Sequence, residues 1–548
     1  MIPVKIHCGC GQKYAFDVEP SGGRMSETVQ CPACGADGTT AANESIALHL
    51  AANSNPASAL FIRATPREAP IRPTATVAQG RARNVSGRGI RNKWRSKWLA
   101  LGLSVSLITI ALLAKVVIPG RVPRETGKPV VAPGREERFP QTLAELQAWY
   151  VEPPKGENAA AVYDRGFKAL EIGSARSSNL PLLGKGQLPP CGAPMAQPMK
   201  SALEAFLKPN QKALQILAQG AKYDHCRYPV DLTLGYDAVF AHLPKLNQAD
   251  VLLQMSAIFH AEANQGEQAA NDLLTSLRLA HSLTDEPSTL SQLLRADCVA
   301  RVLTVLERTV NRTRLPAAAC VELAKAFQEM EVSEAHGDGF TRALVGEHAM
   351  SLAALADSRQ LSRALSAPDL KMRSDRRNEI TARLRTGVPL AAEREFYEAA
   401  FRRLVAAREE TFPGRLRADE LGRQLLEEAA SKELVVLDLL LPSLSQRTTA
   451  EAECLACLRL GLTAVALERF RTAHAEQYPA LLSELAPDYL SAAPADPFDS
   501  HCLRYQQRGA GYVLYSIGPD RQDNSGQPKN GKTGDIVLTV VTPASAGK

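Results

Sequence analysis

Residues 249–310 read ADVLLQMSAIFHAEANQGEQAANDLLTSLRLAHSLTDEPSTLSQLLRADCVARVLTVLERTV. Apolar residues recur at i, i+3, i+4 and i+7 through Ala249–Ala263, Glu267–Ser282 and Ser288–Val310, and the pattern continues through Pro316–Met330. That spacing puts one apolar stripe on each helix, and the intervening stretches of two to six residues carry turn chemistry. Links this short make successive helices antiparallel neighbours. Ala, Leu, Glu, Arg and Gln predominate from Phe139 onward, so a large α-helical domain is expected over 139–450.

The pair of helices around Asn264-Gln265-Gly266 resembles a tetratricopeptide-like hairpin, with Ala261, Ala263, Ala269 and Ala270 allowing close approach. A 34-residue repeat does not continue beyond that pair, so the expectation is an irregular all-α domain rather than a solenoid. Residues 173–200 are rich in Pro, Gly and Ser and precede these helices.

Working toward the amino terminus, Trp98–Ile118 (WLALGLSVSLITIALLAKVVI) holds 21 residues with one charge, Lys115. This is close to the length an α-helix needs to cross about 30 Å of hydrocarbon, so one transmembrane helix is expected at 98–118. Trp94 and Trp98 flank one end, and Pro119-Gly120 closes the other. The preceding arm, Arg63–Lys97, carries ten basic residues and a single acid, Glu68. Such a composition cannot bury enough apolar surface to offset ordering, so 43–97 reads as a disordered basic linker, and 119–138 as a second linker. Residues 78–97 hold seven basic groups against five in 119–138. The excess stays inside, which predicts a single-pass protein of a cell inner membrane with a cytoplasmic amino terminus and an extracytoplasmic carboxyl-terminal region. The arm would then lie on anionic lipid; nucleic acid is the less favoured partner, because no aromatic residues interleave the charges for base stacking.

Residues 7–39 contain Cys8-x-Cys10 and Cys31-x-x-Cys34. This arrangement resembles a zinc ribbon, which assigns residues 1–42 to a small β unit. Four thiolates on two tight turns close a tetrahedral shell around zinc, and in so short a segment the metal substitutes for a core. Cys8, Cys10, Cys31 and Cys34 are the expected ligands of a structural site. The competing reading is two disulfides or free thiols.

The last hundred residues change character. A long helix, CLRLGLTAVALERFRTAHAEQYP, leads to a short helix in ALLSELAPDYL, then to strands at Leu503–Gln506, Tyr512–Ile517 and Ile536–Val541, the first two joined at Arg508-Gly509-Ala510-Gly511. With Tyr478-Pro479, Asp496-Pro497-Phe498, Leu503-Arg504-Tyr505 and Tyr515-Ser516-Ile517-Gly518-Pro519-Asp520, residues 451–548 resemble the globular part of type II secretion major pseudopilins. The resemblance implies an α+β module with a calcium-binding loop in which Asp520 and Asp535 are ligands. Asp523 joins them on its own chemistry, since hard oxygens suit Ca²⁺. The alternative is a polar loop whose Asp side chains cap turns. The helix before this module carries Glu468, Arg469 and Arg471 where a pilin has a polymerising apolar segment, so assembly as a pilin is not expected.

Seven cysteines follow the apolar span, and a Cys191–Cys226 disulfide suits an extracytoplasmic location. Cys454-x-x-Cys457 has the spacing of thiol oxidoreductases, but no strand precedes it. No H-E-x-x-H or G-x-S-x-G occurs in the sequence. Taken as a whole, the chain is similar to bacterial single-pass membrane proteins. The expected role is a non-enzymatic envelope binding or scaffold protein with an unidentified protein partner, close to a secretion apparatus. The alternatives are an extracytoplasmic enzyme with thiol chemistry, and a transmembrane regulator whose zinc ribbon binds nucleic acid or a cytoplasmic protein.

Overall fold

The computed structural model describes residues 2–7, 13–18, 29–30, 39, 139–173, 180–365, 372–387, 389–444, 447–531 and 533–541. The chain forms two compact units, Met1–Arg91 and Asn92–Lys548.

In the first unit, β1 (Ile2–His7) pairs antiparallel with β2 (Lys13–Val18), from Ile2↔Val18 to His7↔Lys13. The stretch joining the strands carries Cys8 and Cys10. A hydrogen bond from Val29 N to Thr39 Oγ1 (2.9 Å) ties together positions on either side of Cys31 and Cys34. The four cysteines lie outside the described residues.

The second unit is mainly helical with a small sheet, as its periodicity predicts. It begins with α1 (Leu143–Trp149), whose Thr142 and Glu145 form a reciprocal capping box. Next come α2 (Ala160–Lys168), α3 (Gln197–Gly220), a 3₁₀ segment at Leu232–Asp237, α4 (His242–Glu262), α5 (Gly266–His281), α6 (Thr289–Arg312) and α7 (Ala317–His336). Gly266 lets the chain after α6 pack against the start of α5: a Cβ there would lie 1.9 Å from the Arg314 carbonyl oxygen. The chain continues through α8 (Asp338–Ala356), α9 (Ser358–Leu365), α10 (Ser374–Arg385), α11 (Ala391–Arg408), α12 (Arg417–Ser431) and α13 (Leu437–Leu444) to the long α14 (Thr448–Ala473).

Two large cores organise the described helices, with a small third cluster of Leu416, Ala452, Ala456, Phe498 and Ile517 beside them. One gathers α2–α7, α14 and the sheet, with Leu252, Leu277, Val302, Phe327, Leu458 and Tyr512 fully buried. The other lies among α8–α13, around Val345, Tyr397, Phe401 and Val436. Helices α7 and α14 pack along each other, although the whole second lobe separates them in sequence. Gly461 of α14 makes room for the Phe327 ring, which a Cβ would meet at 2.4 Å.

The sheet is β3 (Arg504–Arg508), β4 (Gly511–Ser516) and β5 (Ile536–Val540), ordered β3-β4-β5 and antiparallel throughout. Gly509-Ala510 forms its two-residue turn. The expected short helix after Tyr478-Pro479 is only a 3₁₀ turn, Leu482–Leu485. Pro487 follows closely and disfavours helical geometry at the residue before it. Among the described residues no helix is long and apolar enough to cross a membrane, and Trp98–Ile118 lies outside them.

Candidate functional site

Asp520, Asp523 and Asp535 sit on the loop between β4 and β5, and each is occupied by the chain itself. Asp535 is fully buried and accepts from Asn524 N (3.1 Å) and Gly526 N (2.7 Å). Asp520 accepts from Gln522 N (3.0 Å) through one oxygen and from Gly534 N (2.8 Å) and Asn524 Nδ2 (3.2 Å) through the other. Asp523 accepts from Ser525 N (2.8 Å) and the Tyr515 hydroxyl (3.1 Å), with Arg504 at 3.7 Å. This is how carboxylates cap turns. Among the described residues no group of three or more His, Cys, Asp or Glu is placed to hold a metal ion. The donor set does not fit the calcium that the pseudopilin resemblance implies.

The residue that organises this end of the module is Asp496, of the Asp-Pro-Phe turn. It is buried and accepts from Phe498 N (3.0 Å), Ile517 N (2.9 Å) and Ser516 Oγ (2.9 Å), with Arg504 Nη1 at 3.2 Å. One carboxylate thereby joins the turn to the end of β4. The Tyr-Pro turn is held in the same manner. The Tyr478 hydroxyl donates to Glu468 (2.6 Å), which also pairs with Arg471 (2.8 Å), while Tyr505 and Gln507 of β3 donate to the Pro479 carbonyl (2.8 and 3.0 Å).

Helix α6 closes the sheet's other side. β5 is an edge strand, and an open edge invites pairing with another chain. Here Asn311 acts as a substitute strand: its Nδ2 donates to the Thr539 carbonyl (2.7 Å) and its Oδ1 accepts from Val541 N (2.9 Å). Glu307, one turn earlier, accepts from Thr539 N (2.9 Å). Burial pushes the Glu307 carboxyl up to about 7, opposed only by that amide. The module therefore shares its core and its edge with the helical domain, and the boundary expected at 450/451 falls inside a continuous body.

The two cysteines of the Cys-x-x-Cys pair are packed rather than poised. Cys454 and Cys457 are buried in α14 and unpaired. Burial pushes the Cys454 thiol well above its ordinary range and the Cys457 thiol up to about 12. A reactive pair would need the opposite, since the thiolate is the nucleophile. The expected Cys191–Cys226 disulfide is absent, and both thiols are free. Cys191 points at the Thr539 carbonyl (3.9 Å), whereas Cys226 lies against the hydroxyls of Tyr228 and Ser282, with its thiol raised to about 12 by burial.

Cys226 also lines a polar cleft of about 200 Å³, together with Tyr163, His225, Arg278, His281 and Asp285. Nearby, buried Glu286 accepts from the Ser291 and Tyr150 hydroxyls and pairs with His242 (3.0 Å), which stacks on Tyr228 at 4.1 Å. Ser291 and His242 both bind the carboxylate instead of each other, so these two form no serine–histidine relay. A second, wider groove of about 520 Å³ runs beside α7 and α14 under residues 487–495, with Val321, Leu462 and Tyr489 among its apolar walls and Lys325, Arg459 and Arg469 at its rim.

Sequence reading missed Asp496, Glu307 and Asn311. Asp496 had a signal in its Asp-Pro-Phe context. Glu307 and Asn311 had none, because both are ordinary polar residues of an amphipathic helix. No protein-family model, curated protein or solved structure matches the chain.

Proposed function

We propose that the chain is a membrane-anchored envelope scaffold: a zinc-binding amino-terminal unit on the cytoplasmic side, a single span at Trp98–Ile118, and an extracytoplasmic helical body that holds protein partners. The observation that carries the scaffold reading is the shared core and clamped edge of the carboxyl-terminal module. Through Asn311, Glu307 and the Tyr478–Glu468 contact, helices and sheet form one body with fixed surfaces. A rigid body of this kind presents pre-organised surfaces and loses little conformational entropy when a partner docks.

The zinc reading draws support from the β1–β2 hairpin, which brings together the flanks of Cys8 and Cys10, and from the Val29–Thr39 contact, which does the same for Cys31 and Cys34. The ion would be held by Cys8, Cys10, Cys31 and Cys34 and would supply folding stability, since four thiolates leave no open coordination position.

The test uses the full chain in native membranes. A photo-crosslinking residue at Val321 or Tyr489, in the wider groove, and at control positions on other faces should capture one envelope protein reproducibly from one face. Uniform absence of crosslinks from every face defeats the scaffold reading. Resistance to alkaline extraction tests the span. Metal analysis of the purified chain should give one zinc, lost when Cys31 and Cys34 are both replaced by Ser.

A further inference from the structure

The lobe of α8–α13 carries a charge pattern unlike the rest of the body. Residues 98–548 hold 51 Lys+Arg against 52 Asp+Glu, yet Ser358–Arg385 alone holds eight against three. The remainder of that region is left with 43 against 49, so a basic segment sits on an acidic body. Packing directs this charge outward. On α9, Leu361 and Leu365 are buried, while the Arg359 and Arg363 side chains are 86% and 62% exposed. On α10, Ile380 is the one buried residue; the Arg373 side chain just before it is 74% exposed, and Arg385 at its end is exposed. Arg376 turns inward to Asp438 and Glu379. Three of these arginines pair with surface acids, Arg359 with Asp357, Arg363 with Asp237 (2.6 Å) and Arg373 with Asp375, and exposed pairs of this type contribute little and yield to competing anions.

The place of this face in the chain suggests what covers it. The linker from Trp98–Ile118 ends at Phe139, whose ring meets Phe401 of the same lobe edge-on at 5.7 Å. Leu143, four residues on, and Gln360 of α9 converge on Gly235, within 3.3 and 3.1 Å of the position a Cβ would take. Helix α9, which carries Arg359 and Arg363, therefore adjoins the point where the tether enters the body. The 20 residues of 119–138 span at most about 70 Å.

We propose that the α9–α10 face, through Arg359, Arg363, Arg373 and Arg385, docks on the anionic phospholipid headgroups of the bilayer in which the chain is anchored. The proposal rests on the reading of Trp98–Ile118 as a membrane span. Arginine suits the task, because its planar fork binds phosphate in a bidentate manner. The contact orients the body, with the α9–α10 side toward the membrane.

The full chain is reconstituted in phosphatidylcholine bilayers with and without about 30% phosphatidylglycerol, and amide hydrogen exchange is read over 358–365 and 374–385. Exchange in both segments should slow at least about threefold in the anionic bilayer. The slowing should vanish in about 0.5 M salt and in an Arg359→Gln/Arg373→Gln/Arg385→Gln variant, whose exposed positions leave the fold intact. Equal exchange in the two bilayers overturns the proposal, as does slowing by a DNA oligonucleotide with none by lipid, which would make this a nucleic-acid face. Alkaline extraction from pure phosphatidylcholine reports separately on the span. If the chain is extracted, the same exchange measurement with added anionic vesicles still decides the face: slowing supports it, and no slowing overturns it.

Discussion

Replacing Asn311 with Leu tests whether the sheet is joined to the helical body by the α6 clamp. Leucine keeps the branched heavy-atom shape but removes the donor to the Thr539 carbonyl (2.7 Å) and the acceptor for Val541 N (2.9 Å). Leaving a buried backbone group without a partner costs about 1–3 kcal/mol. Val541 is half exposed, at 56%, so its amide regains water and its share is small, whereas the Thr539 carbonyl faces the helix and does not. The expected loss is about 2–3 kcal/mol, which corresponds to about 30- to 140-fold faster opening at each 1.4 kcal/mol per decade. The assay is amide hydrogen exchange over 536–541 in the full chain, with α4 and α5 as internal reference. Exchange in β5 should accelerate by that factor while the reference helices stay unchanged. Unchanged exchange in β5 would mean that the shared core alone holds the sheet, and the clamp argument would fail.

Other consequences are as direct. Glu307 is raised to about 7 by burial, so between its unfolded value near 4.3 and about 7 the folded state binds more protons than the unfolded one, and stability falls as pH rises through that window. Glu307→Gln keeps an acceptor for Thr539 N and should flatten that part of a stability–pH profile measured by denaturant titration, gaining up to about 3 kcal/mol at pH 8. His348 runs the other way: stacked on Phe401 at 3.7 Å, it is lowered to about 4 by burial, so stability is lost as pH falls from about 6.5 toward 4. His348→Phe should remove that acid sensitivity in the same titration, and an unchanged acid limb would exclude His348 as its source. Under native conditions Cys454 and Cys457 should resist a thiol reagent that labels exposed Cys502; rapid labelling of either would contradict their burial. Gly461→Ala forces a Cβ into the Phe327 ring and should cost about 1–3 kcal/mol in denaturant unfolding, unless α14 shifts to accommodate it.

The helical stretches within 249–330 were legible in sequence because a 3.6-residue apolar period and turn residues are short-range signals, although α4 begins earlier, at His242, and α7 runs on to His336. The β3–β4 hairpin was legible for a similar reason, from the aromatic and β-branched run Tyr512–Ile517 that follows the turn Gly509-Ala510. The mainly α character follows from such local patterns alone. What tertiary structure decided are contacts between residues far apart in the chain. Phe327 meets Gly461 across the whole second lobe, so Thr448–Ala473 is a core helix rather than the start of a separate module. Asn311 and Glu307 reach β5 some 230 residues later, where they serve as its missing neighbour strand. Asp520 and Asp535 carry the composition of a cation loop, but backbone amides only the folded chain brings near take up their oxygens. Cys191 and Cys226 are each drawn into different packing environments, against Thr539 and against Tyr228, so proximity in sequence did not become a bond. Period and composition act within a few residues and can be read directly. Hydrogen-bond satisfaction and burial are settled only when distant segments compete for the same donors and the same space.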